Sequence, residues 1–162
     1  MTAQTDTAVR RTISVRAEAA RAFQAFTAGI DLWWPREHHV GSSPLKRNVI
    51  EEGVGGRCFA EHEDGSKSDW GKVVVWEPPK RFVLAWMINP DWKTEPDLSR
   101  TSEVEVLFTP QADGTTRVDL EHRHFERMGE GWNNMRMAVD SQGGWGMLLQ
   151  RFAGFVEKGD VK

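Results

Sequence analysis

The strongest constraint on how this chain folds is the order of its segments with strand-like and helix-like spacing of apolar residues. Residues 9–16 alternate apolar and polar side chains, which predicts a strand with one buried face. Residues 17–30 then place apolar side chains at helical spacing, and the following LWWP predicts a second short helical turn that Pro35 ends. From about residue 45 the alternating pattern returns. The chain is therefore expected to begin with one strand and two short helices, before a long β region.

The β region divides into six segments separated by sequences typical of tight turns. EDGS, EPPK and ADGT supply Gly, Pro or Asp where sharp reversals need them, so consecutive strands are expected to form an antiparallel meander. The longer NPDWKTEPDLSR predicts a polar loop. The predicted strands are residues 45–52, 55–63, 68–77, 81–88, 102–110 and 115–125.

The last part of the chain predicts a long amphipathic helix that begins near Gly143 and Gly144. Its apolar side chains recur at helical spacing, so one face must be buried, and a sheet with one half-buried face is the obvious partner. The stripe consists of Trp145, Leu148, Leu149, Phe152, Phe155 and Val156. We therefore expect an α+β fold in one domain over residues 1–162, with an ordered core of about 9–157.

Composition excludes several classes of protein. The 21 basic and 24 acidic residues give a net charge of −3, so the chain lacks the basic excess that binding to nucleic acid needs. No stretch approaches the ~20 apolar residues of a membrane span, and the N-terminus lacks the apolar centre of a secretory signal. We expect a cytoplasmic protein. The single cysteine, Cys58, cannot form an internal disulfide and is interpreted as a small buried strand residue rather than a nucleophile.

Several strings along the chain resemble a known family. AFQAFTAGIDLWWP, VGGRCFAEHEDGS, WGKVVVWEPPKRFVLAW, SEVEVLFTP, GTTRVDLEHRHFER and GGWGMLLQRFAGF are similar to bacterial proteins grouped with the activator of heat-shock protein 90 ATPase homologues. That group belongs to the SRPBCC superfamily of START lipid-transfer domains, polyketide cyclases and Bet v allergens. The resemblance covers about residues 9–157. It implies a helix-grip fold, in which a curved antiparallel sheet wraps around the C-terminal helix and leaves a cavity between them.

The stretch LWWPREHHVG, residues 32–41, can be interpreted in two compatible ways. In the structural interpretation, one tryptophan packs against the sheet and the other covers the cavity entrance. In the functional interpretation, Trp33, Trp34 and His38 form a pocket rim that stacks on a planar ligand. A reactive role for His38 or His39 would need a nucleophile or an acid partner, and none stands at motif spacing.

Strand parity predicts which side chains point inward. In TTRVDLEHRHF the charged residues share one parity, so His122 and His124 are expected on the inner face. Such a His-x-His pair could hold a metal ion if His38, His39 or His62 supplied a third ligand, but no carboxylate shares its face. A hydrogen-bonded wall histidine is the favoured interpretation, and a ligand contact or an acid/base role is the alternative. In WGKVVVWE the parity is ambiguous between Val73 and Trp76.

The paired apolar faces and the architecture that the resemblance implies together predict a ligand-binding cavity. Its occupant is expected to be a small hydrophobic or aromatic molecule, with no cofactor and no metal. The alternatives are a cyclase-like or hydrolase-like enzyme that uses a cavity histidine as general base, and a co-chaperone of a heat-shock ATPase in the stress response. We expect a monomer or a weak homodimer. The predicted ligand-binding residues are Trp33, Trp34, His38, Phe59, Phe82, Leu84, Trp86, Phe108, His122, His124, Trp145 and Leu149.

Overall fold

The computed structural model describes residues 7–35 and 43–158, and its strands fall where the alternating segments predict them. The strands are β1 (Val9–Val15), β2 (Leu45–Ile50), β3 (Arg57–His62), β4 (Lys67–Glu77), β5 (Arg81–Trp86), β6 (Ser102–Pro110) and β7 (Thr116–Arg123). The α-helices are α1 (Ala19–Thr27), α2 (Ile30–Trp33), α3 (Trp132–Asp140) and α4 (Trp145–Lys158). Short 3-10 helices span Leu98–Arg100 and Phe125–Met128.

The strands of the described residues form one antiparallel sheet in the order β1-β7-β6-β5-β4-β3-β2. Strands β2 to β7 follow one another as a meander, and β1 joins the far edge by pairing with β7. In that pairing Val9 lies opposite His122 and Val15 lies opposite Thr116. The sheet curls into a half-barrel, which with the C-terminal helices confirms the predicted helix-grip architecture.

Helix α4 is held against the sheet by its apolar stripe. Trp145, Leu148, Leu149, Phe152 and Val156 are all buried. Burying one large apolar side chain contributes ~1.5–3 kcal/mol, so this stripe is the main reason that the helix stays docked. The predicted helix is confirmed, and it begins directly after the Gly143–Gly144 pair.

A bulge in β4 resolves the ambiguous parity of WGKVVVWE. The pairing register between β4 and β5 shifts between Val73 and Val75. Because one extra residue is accommodated there, Val73 is buried and Trp76, three positions later, still packs against the core. Val73 and Trp76 have opposite parity in the sequence, but the bulge between them lets both point toward the core.

The outer face of the sheet carries ion pairs. Arg123 Nη1 donates to Glu105 Oε1 at 2.6 Å, and Arg123 Nη2 donates to Glu103 Oε1 at 3.2 Å. Arg81 donates to the other oxygen of Glu105. Through these contacts Glu103 and Glu105 point away from the core. Among the described residues, no helix is both long enough and apolar enough to cross a membrane.

Candidate functional site

A cavity of about 500 Å³ lies between the sheet, the residue that follows α2 and the junction of α3 with α4. Its wall is mainly aromatic and aliphatic. The described residues that line it are Trp34, Asn48, Trp70, Trp86, Ile88, Trp92, Ala138, Val139, Ser141, Gly143, Gly144, Trp145 and Leu148. Volumes of this order hold drug-sized or cofactor-sized organic molecules.

Four buried tryptophans in the wall of the cavity form a closed circuit of ring contacts. The ring of Trp34 stacks on that of Trp70, with centroids 5.9 Å apart and an interplanar angle of 15°. Trp70 meets Trp86 edge-on at 6.2 Å, and Trp86 meets Trp145 at 5.6 Å. Trp145 in turn contacts Trp34 at 5.9 Å. This wall offers several flat aromatic surfaces, which favour offset or edge contacts with a planar ligand.

Separate elements bring these four rings together. Trp70 and Trp86 come from neighbouring strands, where Gly71 pairs with Trp86. Trp34 follows α2, and the end of that helix is fastened to α4 because Arg151 Nε donates to the Trp33 carbonyl at 2.8 Å. Trp145 is the first residue of α4. The site therefore depends on the docking of α4 as well as on the sheet.

Glycine at position 144 permits the tight junction that sets Trp145 in place. A side chain there would collide with the carbonyl groups of Val139 and Ala138 at the end of α3. Since backbone atoms cannot move aside as a flexible side chain does, any larger residue would push α3 and α4 apart. The glycine pair seen in the sequence is thus part of the cavity wall, and its second member determines the geometry of that wall.

His122 is buried directly behind Trp145. Trp145 Nε1 donates to His122 Nδ1 at 3.0 Å, and His122 Nε2 lies 2.8 Å from Ser102 Oγ. Because an indole N–H can only donate, Nδ1 must be the acceptor and the proton of the neutral ring resides on Nε2. Burial lowers the pKa of His122 to about 3. The ring is therefore a neutral support that holds Trp145 in one orientation, and both of its nitrogens are engaged.

Three hydrogen-bond donors of the cavity wall have no partner among the described residues. They are Asn48 Nδ2, Trp70 Nε1 and Trp86 Nε1. Their residues are only 6%, 6% and 5% exposed, so solvent reaches them poorly. A buried donor without an acceptor costs ~1–3 kcal/mol, and such groups are rare in folded proteins. Their shared location marks this wall as unusual.

The wall carries no ionisable side chain among the described residues that line it. Two potential nucleophiles, the Cys58 thiol and the Ser141 hydroxyl, are respectively buried and hydrogen-bonded. Cys58 is fully buried, and burial followed by the charges of Glu51 and Asp69 raises the pKa of its thiol. Ser141 Oγ, which does line the cavity, donates to the Ala138 carbonyl at 2.6 Å.

Three of the predicted ligand-binding residues line the cavity: Trp34, Trp86 and Trp145. The structure places most of the others in the packed core beyond it. Trp33 is buried, and its indole donates to the Ala25 carbonyl at 3.0 Å. The remaining predicted residues in the packed core are Phe82, Leu84, Phe108, Leu149 and His122. His38, with its neighbour His39, lies outside the described residues.

Two predicted positions face away from the cavity. The ring of Phe59 packs under Arg57 and Lys67, whose charged groups lie 5.1 Å and 4.9 Å from its centroid. The prediction that His124 shares the inner face with His122 is wrong. Strand β7 ends at Arg123, and His124 takes a left-handed conformation with φ of 65°, which turns its half-exposed side chain toward Glu103.

The metal site considered as an alternative to the wall histidine therefore has no His-x-His pair on one face. His62, the third ligand considered, is buried with Nδ1 3.1 Å from the Ser43 carbonyl and Nε2 2.8 Å from Ser68 Oγ. Within residues 7–35 and 43–158, no group of three His, Cys, Asp or Glu side chains is arranged to hold a metal ion.

Sequence reasoning missed much of the cavity wall. Trp70 belongs to a predicted strand, but a register shift between Cys58 and Phe59 on the paired strand obscures which face it occupies. Trp92 belongs to the loop predicted from NPDWKTEPDLSR. The residues of α3 that line the cavity, Ala138 and Val139, belong to a stretch of sequence without clear hydrophobic periodicity. A useful signal was the number of tryptophans, since five of the eight line the cavity.

Comparison with known proteins agrees with this architecture. The family model described as Activator of Hsp90 ATPase homolog 1-like protein matches residues 16–157. No curated protein is significantly similar in sequence. Among solved structures, the chain is similar to the anthrahydroquino-gamma-pyrone synthase Txn09, complexed with SUM. The two are 36% identical, the match covers 91% of this chain and 95% of that one, and the TM-score is 0.65.

Two further structures extend the comparison. The self-sacrificing resistance protein CalC from Micromonospora echinospora is 28% identical over 97% of this chain and 98% of its own, with a TM-score of 0.69. The Aha1 dimer from Colwellia psychrerythraea is 18% identical, covers 94% of this chain and 97% of that one, and has a TM-score of 0.58, which shows the shared fold alone. The chain belongs to the Activator of Hsp90 ATPase homolog 1-like family.

Proposed function

We propose that this protein binds a planar aromatic or apolar small molecule in the tryptophan-lined cavity. The observation that carries the proposal is that Trp34, Trp70, Trp86 and Trp145, whose rings contact one another, all line a space of about 500 Å³. Aromatic walls of this kind bury most of a drug-sized ligand and stack on its ring faces. The similarity to a synthase named for a fused aromatic pyrone points to the same class of molecule.

Binding is favoured over catalysis by the chemistry of the wall. A general base must lie within hydrogen-bond reach of the proton that it removes. His122 does not line the cavity, both its nitrogens are engaged, and burial lowers its pKa to about 3. The described lining residues offer no other ionisable group. His122 therefore supports Trp145 and does not act as a general base.

A fluorescent-probe titration with matched variants tests the proposal. The uncharged probe N-phenyl-1-naphthylamine is expected to bind the wild-type protein with micromolar affinity. Ala138→Phe places a ring inside the cavity and should weaken binding at least tenfold, since the volume is taken. Met137→Phe adds a similar ring on the exposed side of the same helix, where Met137 is 58% exposed, and should leave affinity unchanged.

Two outcomes would contradict the proposal. The first is no probe binding by the folded wild-type protein at any soluble concentration. The second is equal binding by the Ala138→Phe variant, which would place the probe elsewhere on the molecule. Native mass spectrometry of freshly purified protein adds an independent measurement, because an organic adduct that disappears on denaturation reveals a natural occupant. The same spectrum distinguishes a monomer from a homodimer.

The co-chaperone role implied by the family description is a separate hypothesis, which a pull-down from the native host tests. Retention of a heat-shock ATPase by the wild-type protein and by Ala138→Phe alike would show that such binding does not use the cavity. Absence of any chaperone would count strongly against it.

A further inference from the structure

The polar side chains of the cavity wall differ in whether their hydrogen-bond donors have a partner. Trp145 has its indole N–H directed to His122 Nδ1, so that ring presents aromatic surface and no free donor. Asn48, Trp70 and Trp86 instead each keep a buried donor that meets no acceptor in the described chain. Because an indole N–H and an amide NH2 cannot accept, these groups are satisfied only by an acceptor brought from outside.

The wall is also uncharged. A carboxylate or an ammonium group would lose its hydration there without meeting an opposite charge on the described lining residues. Neutral acceptor oxygens avoid that cost, and a carbonyl oxygen has two lone pairs that can accept from two donors at once. The wall therefore favours flat aromatic rings, and its unpaired donors favour a ligand with neutral acceptor oxygens.

We infer that the natural ligand is an uncharged planar aromatic molecule bearing carbonyl-type oxygens, and that Asn48, Trp70 and Trp86 select it over an equally shaped hydrocarbon. This inference rests on the proposed function, since it names the chemistry of the molecule that occupies the same cavity. Each of the three nitrogens exposes less than 1 Å², so its side chain must move to present the donor to a ligand oxygen. Selection therefore accompanies a local adjustment of the wall.

A matched pair of ligands isolates the contribution of the acceptor. Fluorene and 9-fluorenone have the same planar tricyclic shape, and they differ by a methylene and a carbonyl group. The wild-type protein is expected to bind 9-fluorenone about tenfold more tightly than fluorene, because only the ketone relieves a buried unpaired donor. Affinities are measured by competition against N-phenyl-1-naphthylamine.

Variants assign the preference to particular donors. Trp70→Phe and Trp86→Phe remove an indole N–H while keeping an aromatic ring, and Asn48→Leu removes the amide. At least one of these variants should reduce the tenfold preference to twofold or less. Trp76→Phe is the control, because Trp76 packs on Phe23 and Phe82 and is not among the described residues that line the cavity. Its preference should equal that of the wild-type protein.

Indole N–H resonances of the wild-type protein give a readout that needs no variant to fold. Adding 9-fluorenone should shift the Trp70 or Trp86 signal downfield, whereas fluorene should not. The Trp33 signal, already bonded to a backbone carbonyl, should stay in place with both compounds.

The outcomes separate the inference from the proposal beneath it. Equal affinity for the two compounds, or a ketone preference that survives all three donor variants, would overturn the inference while leaving cavity binding intact. Failure of both compounds and of the fluorescent probe to bind would overturn the proposed function and the inference together.

Discussion

The two ends of the core under α4 are built from different aromatic residues and have different consequences. At one end Phe23, Phe26, Phe82, Phe108 and Phe152 pack ring against ring, with centroids 4.9 Å apart for Phe26 and Phe152. Trp33 packs on Phe26 and Phe152 there, and its indole N–H is bonded to the Ala25 carbonyl. At the other end four tryptophans line a cavity of about 500 Å³. Phenylalanine has no polar atom, so its rings can fill a closed core at no hydrogen-bonding cost. The larger indole rings make stacked or T-shaped contacts with one another, border open space, and carry N–H donors that need partners.

The contrast divides one continuous apolar surface into two regions. The phenylalanine end is filled and stabilises the fold, whereas the tryptophan end leaves open space at some cost in stability. Helix α4 takes part in both, since Phe152 belongs to the first region and Trp145 and Leu148 to the second. Matched substitutions at the two ends should therefore have unequal effects.

Truncation of neighbouring leucines on α4 is expected to give the largest difference. Leu148 and Leu149 are 5% and 2% exposed, but only Leu148 lines the cavity. Leu149→Ala should cost about 3–5 kcal/mol in the free energy of unfolding, because it opens a void in packed surroundings. Leu148→Ala should cost about 2 kcal/mol, since one side of this residue already faces open space. Urea unfolding measures both, and equal losses would contradict the distinction between the regions.

The pH dependence of stability should expose the role of His122. Its pKa in the folded protein is about 3, below the ordinary value of 6.5, so between these values the unfolded chain binds more protons than the folded one. Stability from this group is complete above about pH 6.5 and is lost as the pH falls toward 3, by ~1.4 kcal/mol per pH unit. His122→Asn keeps an acceptor for Trp145 and removes the titration.

The comparison of wild-type and His122→Asn unfolding at pH 7, 6 and 5 checks this expectation. The free-energy difference between them should shift in favour of the variant as the pH falls. A difference that stays constant would mean that His122 is not a buried neutral ring. Trp145→Phe in the wild-type background serves as a control for loss of the indole bond, because it leaves the histidine titratable.

Replacing an alanine by leucine in each region should give the smallest difference in the free energy of unfolding. It also tests most directly whether the cavity is open. Ala22 is fully buried in the phenylalanine region, whereas Ala138 lines the cavity. Ala22→Leu should destabilise the protein by about 1–3 kcal/mol through overpacking. Ala138→Leu should change stability by less than about 0.5 kcal/mol, since its added atoms enter existing space. Equal destabilisation would indicate that the cavity closes in solution.

Much of the fold could be predicted because its signals are local. The period of two in β1, β6 and β7, and the helical stripe of α4, each follow from residues close together in the chain. The His124 prediction failed because parity assumes that a strand continues, and the left-handed turn after Arg123 ends β7 one residue too early. The β4 bulge is another local departure that alternation alone cannot reveal.

The candidate site was harder to predict than the fold. Trp34, Trp86 and Trp145 were expected at the cavity because they belong to strongly apolar segments. Phe82, Phe108 and Leu149 belong to equally apolar segments, yet they lie in the filled end of the core. Hydropathy does not distinguish a side chain that fills space from one that borders it, since both are buried.

The sequence by itself determined the order of elements, the buried face of α4 and the wealth of tryptophan, because periodicity and composition are properties of neighbouring residues. Only the tertiary structure decided which end of the core stays open, that His122 supports Trp145, and that Asn48, Trp70 and Trp86 keep unpaired donors. These features depend on distances between β2, β4, β5, β7 and α4. Such distances arise from the curl of the sheet and the tight junction at Gly144, which no local pattern encodes.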